Sequence, residues 1–68
     1  MSISLRDARM DRGITLKAAA KALNLSRQTY ARLEEHPEKM TIEQAVAACD
    51  FIGVDIDDVF SPDMSRNI

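Results

Sequence analysis

Cysteine, aromatic residues, glycine and proline are all scarce in this sequence. The single cysteine, Cys49, can form neither an intramolecular disulfide nor a cysteine-cluster metal site, so we expect a reducing compartment. Aromatic residues make up 4% of the chain and apolar residues 46%, a balance that favours small, closely packed helices over a β-sandwich. The 68 residues are enough for one small domain.

Long apolar runs are absent as well. No stretch approaches the roughly 18 apolar residues that a membrane helix needs, so we expect no membrane span. The first residues, MSISLRDARMDRG, lack an apolar run followed by a small-residue cleavage site, so we expect no signal peptide. These absences predict a cytoplasmic protein.

Positive charge is confined almost entirely to the first half of the chain. Residues 1–39 carry eight Lys or Arg against five acids, whereas residues 40–68 carry one Arg against six acids. The resulting +3 and −5 make up the net charge of −2. A molecule polarised in this way could turn its basic half towards a polyanion, although an ordinary mixed surface explains the gradient equally well.

Capping residues recur at short intervals and predict five helices. A short side-chain oxygen that can accept a backbone N–H precedes each helical run, at Ser4, Thr15, Ser26, Thr41 and Asp55. Residues able to take a left-handed conformation end three of the runs, at Gly13, Asn24 and Gly53. The predicted helices cover about residues 5–12, 16–23, 27–35, 42–52 and 56–60, with HPEKM as a loop. They form one all-α domain over residues 1–60, followed over residues 61–68 by a polar tail for which we expect disorder.

The apolar positions fit this division. Ile42, Ala45, Cys49 and Ile52 recur at 3–4 spacing and predict one buried stripe on the fourth helix. The second and third helices can face each other across a short turn through Ala19, Leu23, Leu25, Tyr30 and Leu33. Any pair of antiparallel helices would show that pattern, but it would not explain the polar crowding on the outer side of the third helix.

This segment resembles the Xre/Cro-type helix-turn-helix of phage repressors and small bacterial regulators. The resemblance rests on LRDAR, RGITLKAAAKALNLSRQTYARLE and MTIEQAVAACDFIGVDIDDVF, and covers roughly residues 5–60. It implies a compact, five-helix, lambda-repressor-like domain that binds double-stranded DNA with its third helix in the major groove.

The resemblance also places residues of the third helix at the bases or nearby phosphates. Arg27 and Arg32 suit guanine O6 and N7, Gln28 suits adenine N6 and N7, and Ser26 can serve either base. Thr29 could reach a phosphate or a thymine methyl group. A single Arg or Gln on a helix is more often simply solvated, but four such side chains together in a matching motif favour DNA contact.

Phosphate anchoring departs from the family pattern. Many relatives have Gln where this chain has Leu16, and Glu35 would repel a phosphate. Phosphate contacts then fall to the helix start at Thr15 and to Lys17 and Lys39, with Lys21 as a further candidate. Because few residues are available for phosphate contacts, we expect a monomer to bind DNA weakly and a homodimer to bind it more tightly.

Two charged residues have a structural interpretation instead. In this family an Arg late in the first helix and a Glu ending the third commonly form an ion pair. The resemblance implies that Arg9 and Glu34 form that pair here and do not contact DNA.

Other chemistry-bearing residues have simple interpretations. Asp55, Asp57 and Asp58 lack the glycine and distal Glu of a calcium loop, and they suit a helix N-terminus. Cys49 is interpreted as a small core residue. The one histidine, His36, stands in a loop with no nucleophile or paired carboxylate, so no catalytic constellation can be assembled. We therefore predict that the protein is not an enzyme and needs neither a metal nor a cofactor.

Two functions follow as hypotheses. The first is a sequence-specific DNA-binding regulator of the Cro or small-repressor kind, from a phage or other mobile element, acting as a homodimer. Its dimer surface is predicted from apolar residues near the C-terminus: Val54, Ile56, Phe60, Met64 and Ile68. The alternative is an antitoxin or other protein-interaction module whose acidic half binds a toxin or another regulator. Leu16, Glu35 and the negative net charge favour this alternative.

Overall fold

The computed structural model describes residues 3–60, which are helical with short connections. The helices are α1 (Leu5–Asp11), α2 (Leu16–Ala22), α3 (Arg27–Glu35), α4 (Ile42–Ile52) and α5 (Ile56–Val59). All five begin at the predicted residue, and α1, α2 and α5 end one residue earlier than predicted. The predicted tail over residues 61–68 lies outside the described residues.

The connection between α3 and α4 is more ordered than predicted. Pro37–Lys39 forms one turn of 3-10 helix, so the prediction of a plain loop over HPEKM was wrong in this detail. Proline at the first position has its backbone angle already fixed near the helical value and has no N–H to satisfy, which favours such a turn.

Side-chain caps begin every α-helix at the positions that the sequence indicated. Ser4, Thr15 and Ser26 accept the backbone N–H three residues further on, at 3.0, 3.0 and 3.1 Å. Thr41 and Gln44 exchange two such bonds, both of 3.0 Å, in a complete capping box. Asp55 accepts the N–H of Asp57 at 3.0 Å, so its carboxylate caps α5. Each cap stabilises its helix by about 1 kcal/mol.

The turn between α2 and α3 depends on a left-handed residue. Asn24 has a φ of 63°, the conformation that asparagine tolerates better than most residues other than glycine. The chain reverses there, and the N–H of Leu25 donates to the carbonyl of Ala20 at 2.9 Å. This turn fixes the direction in which α3 leaves α2.

One hydrophobic cluster holds the helices together. Tyr30 is completely buried at its centre, and small residues allow the neighbouring helices to approach closely. The buried members are Leu5, Ala8, Ala19, Ala20, Tyr30, Ala48, Cys49 and Ile52. Within this arrangement α2 packs against both α3 and α4, while α4 also contacts α1 and α5.

The predicted stripe of α4 was wrong at its first residue. Ile42 is 83% exposed, whereas Ala48, which the prediction omitted, is completely buried beside Cys49 and Ile52. Ile42 is the first residue of the helix, and Met40, two residues earlier, packs against the core instead. Periodicity identifies the apolar side of a helix, but it does not show how far along the helix the neighbouring elements cover that side.

Three of the five residues predicted for the dimer surface lie within the described part of the chain. Val54, Ile56 and Phe60 are partly buried and pack against the core. The N–H of Ile3 donates to the carbonyl of Asp58 at 2.9 Å and ties the N-terminal segment to α5. The other two predicted dimer residues, Met64 and Ile68, lie outside the described residues.

None of the helices described in residues 3–60 combines the length and the apolar character needed to cross a membrane.

Candidate nucleic-acid interface

The outward side of α3 carries most of the candidate DNA-contacting residues. Gln28, Arg32 and Glu35 are exposed and follow one another at i, i+4 and i+7, which places them on one side of the helix. Arg27 and Thr29 are exposed beside this stripe. The structure therefore presents guanidinium, amide and hydroxyl groups together on one short helix.

The opposite side of α3 is anchored in the core. Tyr30 is completely buried, and Leu33 and Ala31 are partly buried. Burial is the main cause that raises the pKa of the Tyr30 hydroxyl above its ordinary value, and the neighbouring Glu34 carboxylate adds to it. Within residues 3–60 this hydroxyl has no well-aligned hydrogen-bond partner. Tyr30 therefore acts as a hydrophobic anchor for α3.

A buried ion pair ties the end of α3 to the first helix. Arg9 Nε donates to Glu34 Oε2 at 2.7 Å, and Arg9 Nη2 donates to Glu34 Oε1 at 3.2 Å. The two side chains are only 7% and 4% exposed. Arg9 Nη1 also donates to the carbonyl of Ile14 at 2.7 Å, so one guanidinium joins α1, the following loop and α3. Both charges are occupied within the fold, which leaves neither group for a ligand.

Hydroxyl groups at the start of α3 bind each other. Ser26 Oγ accepts the Thr29 N–H at 3.1 Å and lies 2.9 Å from Thr29 Oγ1, to which it donates. The Ser26 proton is then committed within the helix, and the Thr29 proton is available to an outside acceptor. Ser26 thus serves first as a cap, and Thr29 is the better donor of the two.

The remaining candidates lie on other elements. Thr15 and Lys17 are exposed at the start of α2, and Lys39 is exposed in the 3-10 turn that follows α3. In residues 3–60 no hydrogen bond joins them to the α3 side chains. Leu16 is partly buried against the core, which explains why an apolar residue stands there instead of glutamine.

Sequence reasoning missed one member of the exposed stripe. Glu35 was considered only for its repulsion of phosphate, yet it shares the outward side of α3 with Gln28 and Arg32. The i, i+4, i+7 spacing was the signal that could have identified it. A carboxylate in this position adds an acceptor to a surface otherwise made mostly of donors.

The comparisons with known proteins agree with this geometry. A family model described as helix-turn-helix matches residues 5–59, most of the chain. The chain therefore belongs to the helix-turn-helix family of the Xre/Cro type. Proteins of this family are DNA-binding regulators and typically not enzymes. The resemblance and the all-α, lambda-repressor-like fold predicted from the sequence are thus confirmed. Searches among curated proteins and among solved structures found no match.

Proposed function

We propose that the protein is a sequence-specific regulator of the Cro or small-repressor type, which reads double-stranded DNA with α3 in the major groove. The observation that carries this proposal is the stripe of long hydrogen-bonding side chains on an anchored helix. Gln28 and Arg32 are exposed on one side, while Tyr30 on the other side is completely buried. A rigid helix with such an outer side is what base recognition requires.

Each exposed side chain has a base or phosphate partner of matching chemistry. Arg27 or Arg32 can donate two parallel hydrogen bonds to guanine, and Gln28 can pair with adenine through its amide. The Thr29 proton suits a phosphate oxygen, and Ser26 shapes the helix start. We propose that base discrimination comes mainly from Arg27 and Gln28, since N-terminal residues of a recognition helix lie closest to the bases.

Phosphate contacts are proposed for the residues beside α3. Lys17 and Lys39 would supply charge on either side of the recognition helix, and Thr15 would lie close to the backbone near the start of α2. Each phosphate contact contributes about −0.9 to the slope of log affinity against log salt. Because this set is small, a single domain would hold DNA weakly.

Two copies would bind together on a near-palindromic site. Recognition helices about 34 Å apart reach successive turns of the major groove. The apolar residues predicted for the dimer contact are partly buried in the core where they are described, so we propose that DNA itself positions the two copies. Contact between two copies bound on adjacent half-sites would then compensate for the weak hold of each domain.

A second function, binding of a toxin or another regulator, is favoured by a different observation. Apolar residues are exposed on α4, which contributes none of the proposed DNA contacts. The two functions use different helices and can coexist.

Selection from random duplex DNA at two salt concentrations tests the first function. The proposal predicts that one sequence is enriched and that its affinity falls steeply with salt, as contacts to several phosphates require. Arg12→Ala, which removes a positive charge beside Gly53 instead of on α3, is the control and should retain the selected site. Failure to enrich any sequence at either salt concentration would contradict the proposal.

A further inference from the structure

The exposed side of α4 is unusually apolar. Ile42 is 83% exposed, Phe51 45% and Val46 42%, and Ala47 is exposed beside them. We define the outer face of α4 as Ile42, Glu43, Val46, Ala47, Asp50 and Phe51. It lies opposite the buried stripe that contains Ala48 and Cys49.

A helix with apolar residues on both sides is normally buried on both sides. In a surface helix the side away from the core is polar, because it is in contact with water. Here four of the six outer-face residues are apolar, and contiguous exposed apolar surface with a polar rim marks interaction sites. The inner side of α4 is covered by the core, so the outer face is the part that a partner would cover.

The shape of this face suits another helix. Ile42 and Val46 form one row at i, i+4 spacing, and Glu43, Ala47 and Phe51 form the next. The small Ala47 side chain leaves a depression in the second row. A helix that crosses α4 can place a large apolar side chain there, as ridges pack into grooves.

The charges on the outer face determine which partner fits. Glu43 and Asp50 are its two charged residues, and residues 40–60 contain five acids and no Lys or Arg. If a second copy crossed α4 on a two-fold axis between residues 46 and 47, Glu43 of each copy would face Asp50 of the other. In each of these two facing pairs, the Glu43 and Asp50 carboxylates would then repel each other. A different partner helix with Lys or Arg opposite Glu43 and Asp50 would instead form two ion pairs.

We propose that the outer face of α4 docks an amphipathic helical segment of another protein, whose apolar stripe is flanked by Lys or Arg. The apolar stripe covers Ile42, Val46 and Phe51, and the flanking basic residues pair with Glu43 and Asp50. This proposal deepens the second function above. It holds or fails independently of DNA reading, since the outer face contains none of the α3 residues.

Two synthetic peptides provide the test. The basic peptide, about 18 residues long, has leucines at 3–4 spacing flanked by lysines, and its acidic twin has glutamate at every lysine position. Each is titrated into the full ¹⁵N-labelled chain, with backbone NMR shifts to locate binding and calorimetry to measure affinity. The basic peptide should shift the amides of α4 and bind at least about tenfold more tightly than the acidic twin.

Three variants make the test specific. Val46→Ser with Phe51→Ser should weaken binding of the basic peptide by about tenfold or more. Met10→Ser removes an apolar side chain that is 55% exposed on α1 and should leave the affinity unchanged. Glu43→Lys with Asp50→Lys should reverse the preference, so that the acidic twin binds more tightly. Because all these positions are exposed, the variants should keep the NMR dispersion of the parent.

Several results would overturn the proposal. Equal binding of both peptides, or shifts outside α4, would show that this face does not select a basic helix. Sedimentation in which the parent is a dimer and the Val46→Ser, Phe51→Ser variant a monomer would show that a second copy covers the face.

Discussion

At the scale of single residues, the hydroxyl of Tyr30 is the least expected group in the core. It belongs to the only completely buried aromatic residue in residues 3–60, and no well-aligned partner satisfies it there. A buried hydroxyl without a hydrogen bond costs free energy because it loses its contacts with water, so the aromatic ring must supply the anchoring of α3.

The Tyr30 hydroxyl should produce a defined pH dependence. Burial, followed by the effect of Glu34, raises the pKa of Tyr30 in the folded state above the ordinary value of 10.0. Above about pH 10 the unfolded state loses a proton that the folded state keeps, so the free energy of unfolding falls as the pH rises. Below pH 10 both states are protonated and this group adds no pH dependence.

Comparison of Tyr30→Phe with the parent isolates this effect. Urea unfolding from pH 7 to pH 11 should show similar stability at pH 7, within about 1 kcal/mol, and a smaller alkaline loss in the variant. Burial also raises the pKa of the Cys49 thiol, but Cys49 is present in both proteins and cancels in the difference. If the free energies of unfolding of the parent and Tyr30→Phe fell in parallel up to pH 11, the Tyr30 hydroxyl would be excluded as the cause of the alkaline loss.

At the scale of the helices, the Arg9–Glu34 pair is the principal polar link between α1 and α3. Its hydrogen bond of 2.7 Å joins residues 25 apart in the sequence, and Arg9 is only 6% exposed. Removing one partner would leave a buried charge uncompensated. The pair therefore controls how firmly α3 is held.

Glu34→Gln should be strongly destabilising. We expect a loss of roughly 3–5 kcal/mol in the free energy of unfolding, because the buried Arg9 charge loses its counter-charge. Glu35→Gln, on the exposed next residue, should change stability by no more than about 0.5 kcal/mol. Arg9→Met combined with Glu34→Met should recover part of the loss, since neither buried charge then remains. Urea unfolding of the parent and the three variants measures these differences in the free energy of unfolding. Equal losses in Glu34→Gln and Glu35→Gln would contradict a stabilising role for the ion pair.

Local chemistry explains why the helices could be predicted so well from the sequence. A cap or a left-handed residue depends on its own side chain and a few neighbours, and Thr41 with Gln44 or Asn24 can be recognised without tertiary information. The exposure of Ile42 and the partial burial of Phe60 could not be predicted, because they depend on where other elements end and whether a terminal helix folds back.

The candidate site was predictable to a similar extent. Its location on α3 followed from the family resemblance and from the density of polar side chains. The mutual hydrogen bond of Ser26 and Thr29 did not, because several hydroxyl geometries are compatible with the same spacing. The exposed apolar side of α4 also escaped prediction, since the sequence alone assigned Ile42 to the core.

At the scale of the whole molecule, exposed charge differs between α3 and α4. On α3 the exposed Arg27 and Arg32 outnumber the one exposed acid, Glu35, whereas α4 exposes Glu43 and Asp50 and contains no Lys or Arg. Such a division suits a domain that turns one helix to a polyanion and another to a basic partner. It also explains how a chain with a net charge of −2 can approach DNA at all.

On the proposed function, the outward side chains of α3 read bases. The most direct test is the ratio of affinities for the selected duplex and a scrambled duplex, measured for the parent, Arg27→Ala, Gln28→Ala and the control Arg12→Ala. We expect each α3 variant to lose about 1–3 kcal/mol of discrimination while it keeps the parent fold, and the control to keep the parent ratio. Parent-like ratios in both α3 variants would contradict it.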